Sequence, residues 1–124
     1  MTRFISKVVT NIDVPHTVTA PTPQPQFSYL LPNSPTHLYS LNIAVDSTFA
    51  SNYAYKVVIS TIIQDSNNFT LFPSGQTSYE FVPSSLSNGI PLASGTRIDV
   101  YAYNSGGATA DGHFSVSILA STDD

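Results

Sequence analysis

Cysteine and tryptophan are absent from this 124-residue chain, and methionine and glutamate each occur once. Without cysteine there is no disulfide and no thiolate metal site, and the redox compartment is left open. Stability must therefore come from burial, and a chain of this length can remove roughly two-thirds of its unfolded surface from water. Charge is scarce too: only 10% of residues are Asp, Glu, Lys or Arg, with four cations against eight carboxylates and a net charge of −4. So few cations cannot neutralise a run of phosphates, which excludes nucleic acid and an anionic membrane surface as partners. Long apolar runs are missing as well. The richest stretch, residues 53–63, is interrupted by Lys56 and Ser60 and falls short of the ~20 residues of a membrane helix, so no membrane span is expected. Residues 1–10 lack the apolar stretch and small-residue cleavage site of a secretory leader, and the expectation is no signal peptide.

What the chain does hold is hydroxyl and amide: Ser, Thr, Asn and Gln make up 43 of the 124 residues. Helix formers such as Glu and Lys are rare, and no window keeps an apolar stripe at helical spacing. Alternation with a period of two is plain instead. In residues 38–45 it puts Tyr39, Leu41, Ile43 and Val45 on one face and Ser40 and Asn42 on the other. In 53–63 it groups Tyr55, Val57, Ile59 and Ile63. Further strands are read at 69–72, 78–82, 97–103 and 113–120. The early candidates 3–11, 16–20 and 27–31 are assigned to sheet edges, because Pro15, Pro21, Pro23, Pro25 and Pro32 remove ladder donors. Residues 104–112 read as an exposed hairpin loop between the last two strands, and Asp65-Ser66-Asn67-Asn68 as a turn.

Seven to nine short strands, each with one apolar face, describe a single all-β domain over residues 1–124, an antiparallel β-sandwich of jelly-roll or immunoglobulin-like type. The expected core is Leu41, Ile43, Val45, Val57, Ile59, Phe81, Ile98, Val100, Phe114, Val116 and Ile118. Residues 15–26 form a Pro-rich arm or connector, extended by its own stereochemistry.

Catalytic residue types are few. Glu80 alternates with apolar neighbours and points to solvent, and His16, His37 and His113 form no pair with metal-ligand spacing. Asp111-Gly112-His113 reads as a turn, and the Asp65 turn lacks the alternating ligands of a calcium loop. No glycine-rich phosphate loop and no nucleophile elbow occurs. No catalytic, cofactor or metal residue is therefore nominated. The candidate interface combines the arm residues Pro21, Pro23, Pro25 and Gln26 with the polar face of the 97–103 strand: Arg97, Asp99, Tyr101 and Tyr103. Tyrosines on a sheet stack on sugars or bury at protein interfaces, unless a second sheet or a loop of the chain covers them.

The stretch Ile90-Pro-Leu-Ala-Ser-Gly-Thr-Arg-Ile-Asp-Val-Tyr-Ala-Tyr-Asn104, continued by Gly112-His-Phe-Ser-Val-Ser-Ile118, resembles small β-sandwich proteins of virions, such as phage decoration (cement) and head-fibre domains. The resemblance implies a non-enzymatic capsid decoration or minor capsid protein on the outside of a shell, in many symmetric copies. Its partners would be the major capsid protein, other virion subunits and its own copies, and its location the virion, assembled in the host cytoplasm. The alternatives are a carbohydrate-binding or adhesin-type module and, third, a small enzyme.

Overall fold

The computed structural model describes residues 2–32, 34, 36–59, 62–64, 69–71, 77–80 and 90–123. The strands are β1 (Thr2–Val14), β2 (Phe27–Leu30), β3 (Thr36–Val45), β4 (Tyr53–Ile59), β5 (Ile62–Gln64), β6 (Thr70–Leu71), β7 (Ser78–Glu80), β8 (Ile90–Leu92), β9 (Arg97–Asn104) and β10 (Gly112–Asp123). One short helix, α1 (Ser47–Asn52), separates β3 from β4. Every strand pair is antiparallel.

One sheet, here sheet A, runs β1-β10-β3-β7 with β8 also on β3, and the other, sheet B, runs β2-β9-β4-β5 with β6 also on β4. The pairings nest. β1 joins β10, β2 joins β9, β3 joins β7 and β8, and β4 joins β5 and β6, with successive pairs falling in alternate sheets. Counting the segments that share a partner as one strand each, this is the eight-stranded jelly roll, a ribbon folded in half and rolled. The immunoglobulin-like alternative is set aside by this order. β1 and β2 lie at sheet edges, as the prolines beside them suggested.

Ten of the eleven expected core residues are buried between the sheets, and Phe81 lies outside the described residues. Leu38, Phe49, Tyr53 and Tyr55 join them in one hydrophobic cluster. Each large apolar side chain fully buried there contributes roughly 1.5–3 kcal/mol.

Several expectations are corrected. The loop 104–112 is not a hairpin, because β9 and β10 belong to different sheets. It crosses the top of the sandwich, held by the Asn104 side chain, which accepts from the Ala108 amide and donates to the carbonyls of Ala108 and His16. Residues 16–20 form no strand: Pro15 starts a turn closed by the Val18 amide on the Pro15 carbonyl. The 53–63 run divides into β4 and β5, which fold back on each other. Tyr39 turns outward, since a register shift in the β3–β10 ladder gives it no partner between Leu38 and Ser40.

Helix α1 went unread because six residues are too few to show a period. Its signal is local. Asp46 caps it, with Oδ1 accepting the Phe49 amide at 2.8 Å. None of the helices among the described residues is long and apolar enough to cross a membrane.

Candidate functional site

The polar face of β9 lies on the outside of sheet B. Tyr101 and Tyr103 are half-buried there, packed by neighbours from the same sheet and the segment before β6. The Lys56 ammonium, on β4 opposite Tyr101, sits 5.0 Å from the ring centres of both Tyr101 and Phe69. Phe69 meets Tyr103 edge-to-face at 5.0 Å. Such contacts contribute roughly 0.5–1.5 kcal/mol each beyond simple burial.

Asp99 departs from the expectation of an exposed polar residue, being only 4% exposed. Its Oδ2 pairs with Arg97 Nε at 3.1 Å, while Oδ1 is buried without a hydrogen-bond partner among the described residues. A buried acceptor left without a donor costs roughly 1–3 kcal/mol.

The Pro-rich segment runs along this same strand. The Gln26 amide donates to the Val100 carbonyl, and the Gln26 side-chain oxygen accepts the Ala102 amide at 2.6 Å. Earlier in the segment, the Val18 carbonyl accepts the Asn104 amide. A glutamine side chain thus takes the place of a backbone carbonyl on the β9 edge, where alternating prolines cannot maintain a ladder. Pro21 and Pro23 are exposed and Pro25 half-buried. The two groups of interface candidates, distant in sequence, therefore flank one strand, and the arm is anchored at both ends to its own sheet.

A second cluster was missed, because its members looked scattered over separate turns. It gathers where β1 ends, α1 begins and β10 starts. His113 Nδ1 is 2.9 Å from Asp46 Oδ2, and its Nε2 is 3.1 Å from Asp13 Oδ1. His16 Nδ1 lies 2.7 Å from Asp111 Oδ1, an oxygen that also accepts the His16 amide at 3.0 Å. Beneath them the buried Tyr53 hydroxyl lies 3.1 and 3.2 Å from the carbonyls of Val14 and Ala110 and accepts the Gly112 amide. Gly112 is required by this packing, since a Cβ there would stand 2.9 Å from the Tyr53 ring.

The electrostatics follow from these contacts. The hydrogen bond to Asp46 raises the His113 pKa above the ordinary imidazole value, with Asp13 and Asp111 adding to it against a desolvation effect. Partial burial opposes ionisation of Asp46, but the Phe49 amide and His113 outweigh it and hold its carboxyl below the usual range. The His16 amide and ring do the same for Asp111. Burial pushes the Tyr53 phenol up.

Beside the cluster, an open cleft of about 220 Å³ is lined by Asn11, Ala44, Val45, Asp46, His113 and Ser115. Asn11 forms a bulge in β1 with φ 54°, a left-handed conformation that asparagine tolerates. No group of three or more metal-ligating side chains among the described residues is arranged to hold an ion.

The outer face of sheet A is different again. Phe4 is opposite Ser121, Ser6 opposite Leu119 and Val8 opposite Ser117, so Phe4, Leu119 and Val8 form a diagonal through a field of serines. They are 69%, 42% and 60% exposed. Lys7 is on the opposite side of β1, across from Ile118, with its ammonium 5.8 Å from the Tyr29 ring centre on the other sheet. An inward-facing lysine and a bulge are both devices that protect a sheet edge from pairing. No family model and no curated protein matches the chain.

Proposed function

We propose that this chain is a non-enzymatic structural subunit of a virion, a capsid decoration (cement) or minor capsid protein that binds the outside of a shell in many copies. The observation that carries the reading is the outer face of sheet A. There the Phe4–Leu119–Val8 diagonal is exposed and bordered by serines, while the strand edge beside it is blunted by Lys7 and the Asn11 bulge. Such an arrangement favours contact through the face over strand addition. The jelly-roll order adds a fold-level analogy, since viral capsid domains and lectins both use it. Small contacts of this kind gain strength by symmetric repetition.

The test is co-sedimentation with purified particles of the source virus, comparing the wild type with a Phe4→Ser/Leu119→Ser variant of equal melting temperature. Retention of the wild type and loss of the variant support the proposal. Absence of any association by the wild type overturns it.

The second reading, a carbohydrate-binding or adhesin-type module, is favoured by the Tyr101–Lys56–Phe69–Tyr103 cluster outside sheet B, because aromatic rings flanked by polar groups suit sugar stacking. Glycan-array binding abolished by Tyr101→Ala and indifferent to Phe4→Ser would select it.

A further inference from the structure

His113 stands between two carboxylates, one at each ring nitrogen. An ionised carboxylate only accepts hydrogen bonds, and a neutral imidazole carries one N–H. With Nδ1–H directed at Asp46, a neutral ring leaves the Asp13 carboxylate 3.1 Å from an uncharged Nε2. A protonated ring sets its charge between the two carboxylates. We propose that protonated His113 is an acid-strengthened clasp that joins the end of β1 to the start of α1 through Asp13 and Asp46, and that it lets go of Asp13 when it loses a proton to solvent.

The two contacts are not equivalent. Asp46 is tied to His113 a second time, through its amide to the His113 carbonyl at 3.0 Å, and its other oxygen caps α1. The Asp46 side therefore persists with a neutral ring, and the Asp13 ion pair is the one that yields. The neighbouring Asp111 is held by the His16 amide as well as by its ring.

The titratable groups around His113 are Asp13 from β1, His16 from the segment after it, Asp46 before α1, Tyr53 from β4 and Asp111 before β10. Of these only His113 and Asp46 line the adjoining cleft. Deprotonation of His113 leaves the Asp46 carboxylate without its cation on that wall and loosens the end of β1 beside the Asn11 bulge.

The sign is fixed by linkage. A histidine favoured in its charged form by the fold stabilises fully below the ordinary imidazole value of about 6.5 and loses that contribution as pH rises through the higher folded value.

Nuclear magnetic resonance titration of the full chain tests the clasp. The His113 midpoint is expected above the ordinary value, and the Asp13 carboxyl signal is expected to move with it. Asp13→Asn should lower that midpoint. Amide exchange of residues 12–14, corrected for intrinsic base catalysis, should quicken above the midpoint in the wild type and not in His113→Gln. Asp46→Asn should lower the midpoint further. Should that variant fail to fold, Asp13→Asn decides alone. A midpoint at or below the ordinary value, or one unmoved by Asp13→Asn, overturns the proposal, as does an Asp13 signal indifferent to it.

Discussion

The outer faces of the two sheets are made from the same kind of strand yet treat their aromatic side chains differently. On sheet B, Lys56 lies on two aromatic rings, Phe69 covers Tyr103 and Arg97 pairs with Asp99. Around β9 that face is satisfied from within the chain, while Leu30 and Leu71 toward its margins stay exposed. On sheet A, Phe4, Val8 and Leu119 remain exposed, and Arg3 and Lys7 fall on the other side of β1. The difference comes from connections more than strands, because the segment before β6 brings Phe69 over sheet B. An alternating strand sets what is presented outward, and a loop then decides whether it is consumed locally or left for a partner.

The largest test of this contrast concerns the boundary between inside and outside. Val116→Asp should abolish folding, since an unpaired buried carboxylate costs several kcal/mol out of a total of roughly 5–15. Ser117→Asp, on the outer face of the same strand, should melt close to the wild type. Equal tolerance of the two by circular dichroism would break the facing assigned to β10.

Next in size, Tyr103→Ala should lower unfolding free energy by about 1–3 kcal/mol through loss of the Phe69 contact and of cover over Ala54. Phe4→Ala, despite deleting a ring of similar size, should stay within about 0.5–1 kcal/mol because its site is already wet. Denaturant titration measures both, and similar losses would remove the distinction between a consumed face and a presented one. Lys56→Ala should then cost about 0.5–1.5 kcal/mol, reflecting cation–ring contacts at a half-exposed site.

The smallest effect is expected away from both faces, at the Asp46 cap. Its carboxyl is held below the ordinary value, so its contribution is present above about pH 4 and fades as pH falls through the folded value. Asp46→Asn, which keeps a capping oxygen, should flatten the acid limb of a stability-versus-pH curve while changing neutral stability by under about 1 kcal/mol. An unchanged acid limb would assign that pH dependence to other carboxylates.

Much of the fold was legible because alternation reports directly on burial. Ile98 and Val100, and Phe114, Val116 and Ile118, read as one-sided and are buried on that side. Tyr39 was misplaced because its outward turn depends on a register shift against β10, some eighty residues away. The crossing of 104–112 between sheets was hidden for a similar reason: a small, flexible loop suits a hairpin or a crossover alike, and the distinction lies in which strand each neighbour pairs with. Of the nominated interface residues, sequence position gave the outward side of Tyr101 and Tyr103 but not the burial of Asp99. The His113 cluster was invisible because Asp13, Asp46 and His113 are separated by whole strands and only the nested pairing closes the distance.

That nesting also orders events in time. β1 finds its ladder partner only in β10, with Arg3 opposite Thr122 and Val9 opposite Val116. During synthesis β1 must wait, unpaired and carrying Phe4 and Val8, until residues 112–123 have been made. Pairing between such distant segments is intrinsically slow and prolongs exposure to aggregation. The charge of Lys7, which blunts the finished edge, is present in the nascent strand as well and disfavours pairing with a wrong neighbour before β10 arrives.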